Sequence, residues 1–435
     1  MKYDYLIKEV NLYYGKGELE EAKDVGIKDG YIVAVGTGLN EVDANRVIDG
    51  KGKLLSPGFV DSHMHIDINY TYDYELAVPS LIGGARVFKS IFDRCDNWTR
   101  QEMYDDIYAR SAKTLDNCMR HGTTAVKTNV SYFPQWKGLA FQAMLDLKEA
   151  YKDRIDLYNL ICFTYQIPDE IFEKEVVPEW ETMAAEGKVD FIGGYPHKYP
   201  NSKEIIDEIF ERARKYNRPI DIHCDESDVP NLDCFSYVLD KIIETGMEGK
   251  VSFGHVTALS AKMLDEDTAQ KLIKKAVRAK ANITSLTSCN MFLMQSTRRG
   301  PTRVKELTDA GVNVAVASDD VREILRPFGN CDLLEEALLT AQVHKMGTKR
   351  ELRQVFDMIS YNPALNTLLQ DYGVKEGCKA DLVLLDAQTP EEAILKQSAK
   401  LYVFKHGKVV ARSGKLENEQ YDINNKFLFK KQLEF

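Results

Sequence analysis

Two histidines that stand one residue apart, His63 and His65, are the first residues in the chain whose type and spacing indicate chemistry. They follow Phe59 and Val60, an apolar pair that predicts a short buried strand. Alternate residues of a strand project from the same face, so both imidazoles are expected to enter one pocket. Neutral imidazole is a common ligand for a divalent transition metal ion. A single pair of histidines with this spacing is a weak signal of a metal site. Its value depends on which other candidate ligands the chain contains.

Further polar residues occur at or just after apolar runs that predict strands. In chain order, the predicted strands are Gly58–Val60, Ala125–Val130, Leu157–Tyr165, Phe191–Tyr195, Ile220–His223, Val251–His255, Ile283–Leu286 and Val314–Ala317. The polar residues at or after their ends are His63, His65, Asn129, Gln166, His197, His223, Glu226, His255, Asp319 and Asp320. The chain has only eight histidines, and most of them fall in this set, so a random scatter is disfavoured.

Several of these positions have a chemical interpretation of their own. His223 is a candidate third nitrogen ligand, and Glu226 is placed to carry protons beside a metal ion without binding it. His255 is a candidate proton shuttle. The plainer alternatives are a core histidine, a solvated acidic turn and a histidine that hydrogen-bonds under a loop. Asp319 and Asp320 follow an apolar strand, where one carboxylate could cap a helix and the other could bind a metal ion.

The alternation of strands and amphipathic helices predicts the fold that positions these residues. Eight strands alternate with helical patterns such as Glu204–Tyr216, Ala269–Ala281 and Thr302–Ala310, which is typical of a (β/α)₈ TIM barrel over residues 57–370. Active sites of this fold lie at the carboxyl ends of the strands, where the polar residues gather. A doubly wound open sheet is the alternative, but no glycine-rich phosphate loop follows any strand.

The two ends of the chain have a different pattern. Residues 1–56 and 371–435 carry short β-strand patterns broken by glycine-containing turns. Neither end has enough strands to bury a sheet by itself. We therefore expect both ends to combine into one small β-sandwich domain beside the barrel, which makes the fold class α/β.

Composition and charge narrow the class of protein. The chain has 435 residues, of which 44% are hydrophobic and 29% charged, as is ordinary for a soluble globular protein. A net charge of −10 argues against nucleic acid or an anionic membrane as a partner and favours a small-molecule substrate. No signal peptide or membrane-length apolar run is evident, and the eight scattered cysteines fit reduced thiols. A cytoplasmic location is therefore expected.

Seven short segments of the chain form a joint signature. They are His63–Asp67, Gln166, Tyr195–His197, His223–Glu226, Gly254–Ala258, Arg298–Leu307 and Asp319–Val321. Together they resemble the amidohydrolase superfamily, and within it the cytosine deaminase group, over essentially the whole chain. The resemblance implies one Zn or Fe ion, with the ligands His63, His65, His223 and Asp319. It also implies that Glu226 protonates a ring nitrogen and that His255 and Asp319 accept a proton from water. The residues that it places beside the substrate are Gln166, Asp320, His197 and Asn129.

The reaction implied by this resemblance is the hydrolytic release of ammonia from a small cyclic amidine. A cytosine-type substrate is the leading expectation. Creatinine and isocytosine stay open, because Asn129 stands where cytosine deaminases carry a histidine and Val321–Gly329 lacks the expected aromatic-rich sequence.

Two other functions remain as alternatives. One is a ring-opening cyclic amide hydrolase of the hydantoinase or dihydroorotase type, which needs a metal-bridging lysine. Lys198 lies one step beyond the matching His197, so we interpret it as a surface lysine. The other is a non-catalytic binding barrel. Members of the superfamily often assemble, which leaves a homo-oligomer open.

Overall fold

The computed structural model describes residues 2–72, 97–133, 136–163, 177–293 and 300–417. Within these ranges the strands are β1 (Tyr3–Gly15), β2 (Glu18–Lys28), β3 (Tyr31–Gly36), β4 (Ala44–Asp49), β5 (Leu54–Pro57), β6 (Phe59–Met64), β7 (Thr123–Tyr132), β8 (Asp156–Phe163), β9 (Phe191–Gly194), β10 (Ile220–Cys224), β11 (Val251–His255), β12 (Asn282–Ser285), β13 (Asn313–Val316), β14 (Leu382–Leu385), β15 (Lys400–Lys405), β16 (Lys408–Arg412) and β17 (Lys415–Leu416).

The α-helices of the described residues lie mostly between these strands. They are α1 (Arg100–Arg120), α2 (Leu139–Tyr151), α3 (Val177–Ala185), α4 (Ser202–Tyr216), α5 (Asp233–Thr245), α6 (Glu266–Arg278), α7 (Thr287–Phe292), α8 (Val304–Ala310), α9 (Leu333–Val343), α10 (Lys349–Asp357), α11 (Tyr361–Asn366) and α12 (Pro390–Lys396). None of these helices has the length and apolar character that crossing a membrane requires.

Strands β6 to β13 form the predicted barrel. All eight are parallel, and each pairs with the next one along the chain. A parallel bridge between Met64 and Asp319 joins the chain after β13 to the end of β6 and brings the sheet to near closure. We call this junction the barrel seam. Each strand overlaps the one predicted for it. The fold class is therefore confirmed.

Helices outside the barrel pack their apolar faces against it. Helix α4 buries Ile206, Ile209 and Phe210, which belong to the apolar stripe predicted for this segment. Helix α6 begins earlier than the predicted start at Ala269. The reason is a cap, since the Asp265 carboxylate accepts hydrogen bonds from the first backbone amides of the helix.

The two ends of the chain form one nine-stranded sheet from β1–β5 and β14–β17. Strand β5 pairs antiparallel with β14, with Leu55 opposite Leu384. Only Gly58 separates β5 from the barrel strand β6, so the sheet is directly continuous with the first strand of the barrel. A Cβ atom at Gly58 would lie 2.2 Å from the Thr124 side chain, which is why this link needs a glycine.

Candidate active site

Three histidines, two from the end of β6 and one from β10, meet at the carboxyl ends of the barrel strands. His63 lies in β6, His65 follows it directly, and His223 lies in β10. The Nε2 atoms of His63 and His65 are 3.1 and 3.2 Å from Nε2 of His223. Two nitrogen ligands about 2.0–2.1 Å from a tetrahedral ion are about 3.4 Å apart, so this spacing fits a shared metal ion.

A carboxylate completes the cluster. Asp319 follows β13, and its Oδ1 lies 3.6 Å from Nε2 of His63 and 3.7 Å from Nε2 of His65. The three histidines and Asp319 are all buried. The backbone of Asp319 has a φ of 61°, in the left-handed region that residues other than glycine rarely adopt. We refer to His63, His65, His223 and Asp319 as the four-residue cluster.

Burial sets the protonation of the cluster. Loss of hydration, with neighbouring imidazoles, lowers the pKa of His65 to about 3 and those of His63 and His223 well below the usual value. The three imidazoles are therefore neutral at ordinary pH, which is the form that binds metal. Burial and the nearby Asp320 raise the pKa of Asp319, and a bound cation would offset both effects. This donor set fits a divalent ion such as Zn or Fe.

Glu226 and His255 form a second pair beside the cluster. Oε1 of Glu226 lies 3.8 Å from Nδ1 of His255. His255 ends β11 with a φ of 67°, and the next residue, Val256, has a φ of 48°. A β-branched residue in this region is a backbone outlier, and such strain concentrates at functional sites. The amide of Val256 donates to the carbonyl of Cys224 (3.0 Å), which ties this strained turn to the end of β10.

Lys198 lies next to the same pair. Its Nζ is 3.8 Å from Oε2 of Glu226, and its side chain is 30% exposed. After burial, the charge of Lys198 is the next contribution that lowers the pKa of His255, to about 3. Lys198, interpreted above as a surface lysine, is partly exposed and also approaches an acid of the candidate site.

Two further residues predicted to lie beside the substrate make contacts with the ligand-bearing segments. Nδ1 of His197 lies 2.9 Å from the carbonyl oxygen of His223. Nδ2 of Asn129 donates to the carbonyl oxygen of Met64, at 3.5 Å. Both residues therefore lie at the rim of the cluster, and their contact with a substrate stays a prediction. Gln166 lies outside the described residues.

Helix α7 brings two residues to the site that the sequence analysis did not assign to it. Nδ2 of Asn290 lies 3.1 Å from Nδ1 of His255, and the Cys289 thiol donates to Oδ2 of Asp320 at 3.6 Å. Helix α7 was not predicted, because it is short and follows β12 without an amphipathic pattern. The only signal in the sequence that could have placed Cys289 and Asn290 at the site was their position, shortly after a predicted strand.

A glycine and an aromatic ring pack against two histidines of the four-residue cluster. A Cβ atom at Gly254 would lie 2.6 Å from Cε1 of His63, so the imidazole occupies the space that any other residue would fill. The ring of Tyr195 lies over His223, with 4.0 Å between the ring centroids. These contacts restrict how far the two imidazoles can rotate.

Comparison with known proteins identifies the family. The model of the amidohydrolase family matches residues 54–410 of the chain. The chain belongs to the amidohydrolase family. Enzymes of this family are hydrolases that use a divalent metal ion. Two groups of three buried residues could hold such an ion: His63 with His223 and His255, and His63 with His65 and Asp319.

Three similar proteins span nearly the whole amidohydrolase chain. N-isopropylammelide isopropyl amidohydrolase of Pseudomonas sp. (strain ADP) is 27% identical over 416 residues, which cover 94% of this chain and 98% of the relative. Pterin deaminase of Rhizobium rhizogenes is 27% identical over 404 residues, covering 90% and 88%. The solved structure of 5-methylcytosine deaminase from Klebsiella pneumoniae, liganded with 5-fluorocytosine, has a TM-score of 0.82 and 27% identity, covering 96% and 100%.

Proposed function

We propose that this amidohydrolase is a metal-dependent hydrolytic deaminase that releases ammonia from a small cyclic amidine. The observation that carries the proposal is the pairing of Glu226 with His255, 3.8 Å apart, beside the four-residue cluster. The four-residue cluster alone would be compatible with many kinds of hydrolase. An acid that stands next to the cluster without belonging to it provides the proton donor that deamination needs.

The chemistry of the metal and the protein can be separated. We propose that the four-residue cluster holds one ion, Zn or Fe, which when bound would activate water as a nucleophile at neutral pH. The buried imidazoles supply neutral nitrogen donors, and the Asp319 carboxylate supplies the negative charge. The ring of Tyr195 and the space at Gly254 keep two of the imidazoles in place.

The remaining residues move protons. Water adds to the amidine carbon, and His255 with Asp319 accepts the proton that the attacking water loses. Glu226 delivers a proton to the ring nitrogen beside that carbon, so the C–N double bond becomes single. The bond to the exocyclic nitrogen then breaks, that nitrogen leaves with a proton as ammonia, and the carbon becomes a carbonyl. Burial lowers the pKa of His255 to about 3, so its ring is neutral at ordinary pH and holds an accepted proton only transiently.

A cytosine-type ring is the leading substrate in this proposal. Two of the three similar proteins are named as deaminases of nitrogen heterocycles, a pterin and 5-methylcytosine. Creatinine and isocytosine carry the same amidine group and are the next candidates. Asn129 and His197 lie at the rim of the cluster, where they could contact the polar edge of such a ring.

Ammonia release tests the proposal. The zinc-loaded and iron-loaded protein would be assayed against cytosine, isocytosine, 5-methylcytosine, creatinine and simple hydantoins. We expect ammonia from at least one amino-bearing ring, with the ring retained in the product and the activity lost after chelation. An opened hydantoin without ammonia would support a ring-opening hydrolase instead. Tight binding of a ring without turnover would support a binding barrel.

A further inference from the structure

An ion pair crosses the interior of the barrel below the four-residue cluster. Lys127 on β7 and Asp221 on β10 are both fully or almost fully buried, and the Lys127 ammonium is bonded to Oδ2 of Asp221. Lys127 also donates to Oδ1 of Asn366 (3.0 Å) and lies 4.6 Å from the centre of the Phe191 ring. Barrel interiors of this fold are usually filled by branched aliphatic side chains.

Such a pair is unfavourable as a stabilising device. Removing two charges from water is costly, and buried ion pairs are often no more stable than well-packed apolar residues in the same space. The side chains of Ser252 and Asn366 provide hydrogen-bond acceptors for Lys127. The interior of the barrel therefore contains a charged group that packing alone does not require. The presence of this ion pair therefore needs another explanation, and the residue beside Asp221 provides one.

That neighbour is His63. Oδ1 of Asp221 lies 4.0 Å from Nδ1 of His63, and this nitrogen has no hydrogen-bond partner among the described residues. The other ring nitrogen, Nε2, lies at the metal cluster, 3.1 Å from Nε2 of His223. Asp221 and the cluster are therefore at opposite ends of one imidazole. Gly254 lies against the Cε1 edge of that ring and leaves it little room to turn.

We infer that the Lys127–Asp221 pair is a positioning device that holds His63 with its Nδ1–H towards Asp221 and its Nε2 lone pair towards the metal. This inference rests on the proposed function, because it assumes that His63 binds a metal ion. A histidine that binds metal through Nε2 must carry its proton on Nδ1, and a carboxylate at Nδ1 favours that tautomer. Lys127 forms an ion pair with the carboxylate and holds it in place. Lys127 and Asp221 are therefore positioning residues for metal binding.

The first test is the zinc affinity of Asp221→Asn, measured by competition with a chromogenic chelator in the absence of substrate. The side chain keeps its size but loses its charge. We expect zinc affinity to fall by about 10- to 100-fold, the range for partners of metal-ligating histidines. Wild-type affinity in a folded Asp221→Asn protein would overturn the inference.

A double variant keeps the test valid if that protein does not fold. Lys127→Met with Asp221→Leu replaces the pair by apolar side chains of similar length, which removes the buried charges and should preserve the fold. If the pair serves only stability, this variant binds zinc as the wild type does, and the inference is overturned. If the pair positions His63, zinc affinity falls as in Asp221→Asn.

The control is a buried ion pair far from the cluster. Lys405 on β15 is fully buried and pairs with Asp381 at 2.6 Å and Asp156 at 2.7 Å. Lys405→Met should reduce stability while zinc affinity stays unchanged. An equal loss of zinc affinity in this control would also overturn the inference.

Because the probe is zinc alone, the result does not depend on the reaction. Reduced affinity in Asp221→Asn with no ammonia from any ring would leave the positioning role standing and remove the proposed deamination.

Discussion

The backbone amide of Asp319 donates to the carbonyl of His63 at 3.0 Å, so the carboxylate and the first histidine of the cluster are joined through their own main chains. The amide of His65 in turn donates to the carbonyl of Asp319 at 3.1 Å. These bonds form the barrel seam. Three of the proposed metal ligands are therefore part of the contact that closes the barrel, and a metal ion bound there would join both sides of the seam.

Metal binding should consequently stabilise the fold. We expect chelation to lower the melting temperature and zinc to restore it, since zinc at about 100 times its Kd adds about 2.7 kcal/mol. His63→Ala should lose both the metal and this response to zinc. The control is His406→Ala in the terminal sheet, which should keep both. Full metal occupancy in His63→Ala, measured by elemental analysis, would contradict the ligand set.

Glu226→Gln should separate metal binding from turnover. The amide has the shape of the acid but cannot transfer its proton, so we expect kcat to fall by about 10²- to 10⁴-fold. Metal content should be unchanged, because Glu226 is not in the four-residue cluster. The matched control is Glu208→Gln on the exposed side of α4, which should have wild-type kcat. Wild-type turnover by Glu226→Gln would show that another residue carries the proton.

Asn290 should act through His255. Replacing it with Leu removes the contact at Nδ1 of His255. We expect kcat to fall about 10-fold with KM unchanged, the effect of losing about 1.4 kcal/mol of transition-state stabilisation. Asn290→Asp keeps a partner at Nδ1 and adds charge, so the acidic limb of the pH–rate profile should move to higher pH. Identical pH profiles for all three proteins would rule out a positioning role.

Gly254→Ala should disturb His63 through packing alone. Its Cβ would lie 2.6 Å from Cε1 of His63, a distance that forces the imidazole to shift. We expect weaker zinc binding, by at least about 10-fold, because one ligand leaves its position. Gly347→Ala is the control, since a Cβ there meets nothing within 4 Å. A crystal structure of Gly254→Ala with an unmoved His63 ring and bound zinc would refute this account.

Acid should weaken the fold in part through His344, which follows α9. Burial lowers the pKa of His344 to about 4, whereas an unfolded histidine has a pKa of about 6.5. The stability from its neutral form is complete above pH 6.5 and is lost as pH falls from about 6.5 towards 4. Between pH 7 and pH 5, the free energy of unfolding of the wild type should fall by about 1–2 kcal/mol more than that of His344→Gln. Urea unfolding of both proteins at the two pH values measures this difference.

The barrel was predictable because short apolar runs alternate with amphipathic segments along the chain, and polar residues at the ends of parallel strands share one rim. This reasoning applied to His63 and His223, which come from strands β6 and β10. It did not extend to Asn290, because a short helix after a strand has no periodic signature. The ion pair of Lys127 could not be predicted from the sequence either. A charged residue inside an apolar strand shows that something is unusual but does not reveal its partner on the far side of the barrel.

Strand β5 runs through Gly58 into β6, and β5 is held by β14, more than three hundred residues later in the chain. During synthesis on the ribosome, the strand that anchors the segment of His63 emerges more than three hundred residues after that histidine. We therefore expect the proposed metal site to mature only after β14 has left the ribosome. Metal acquisition would then follow the pairing of β14 with β5.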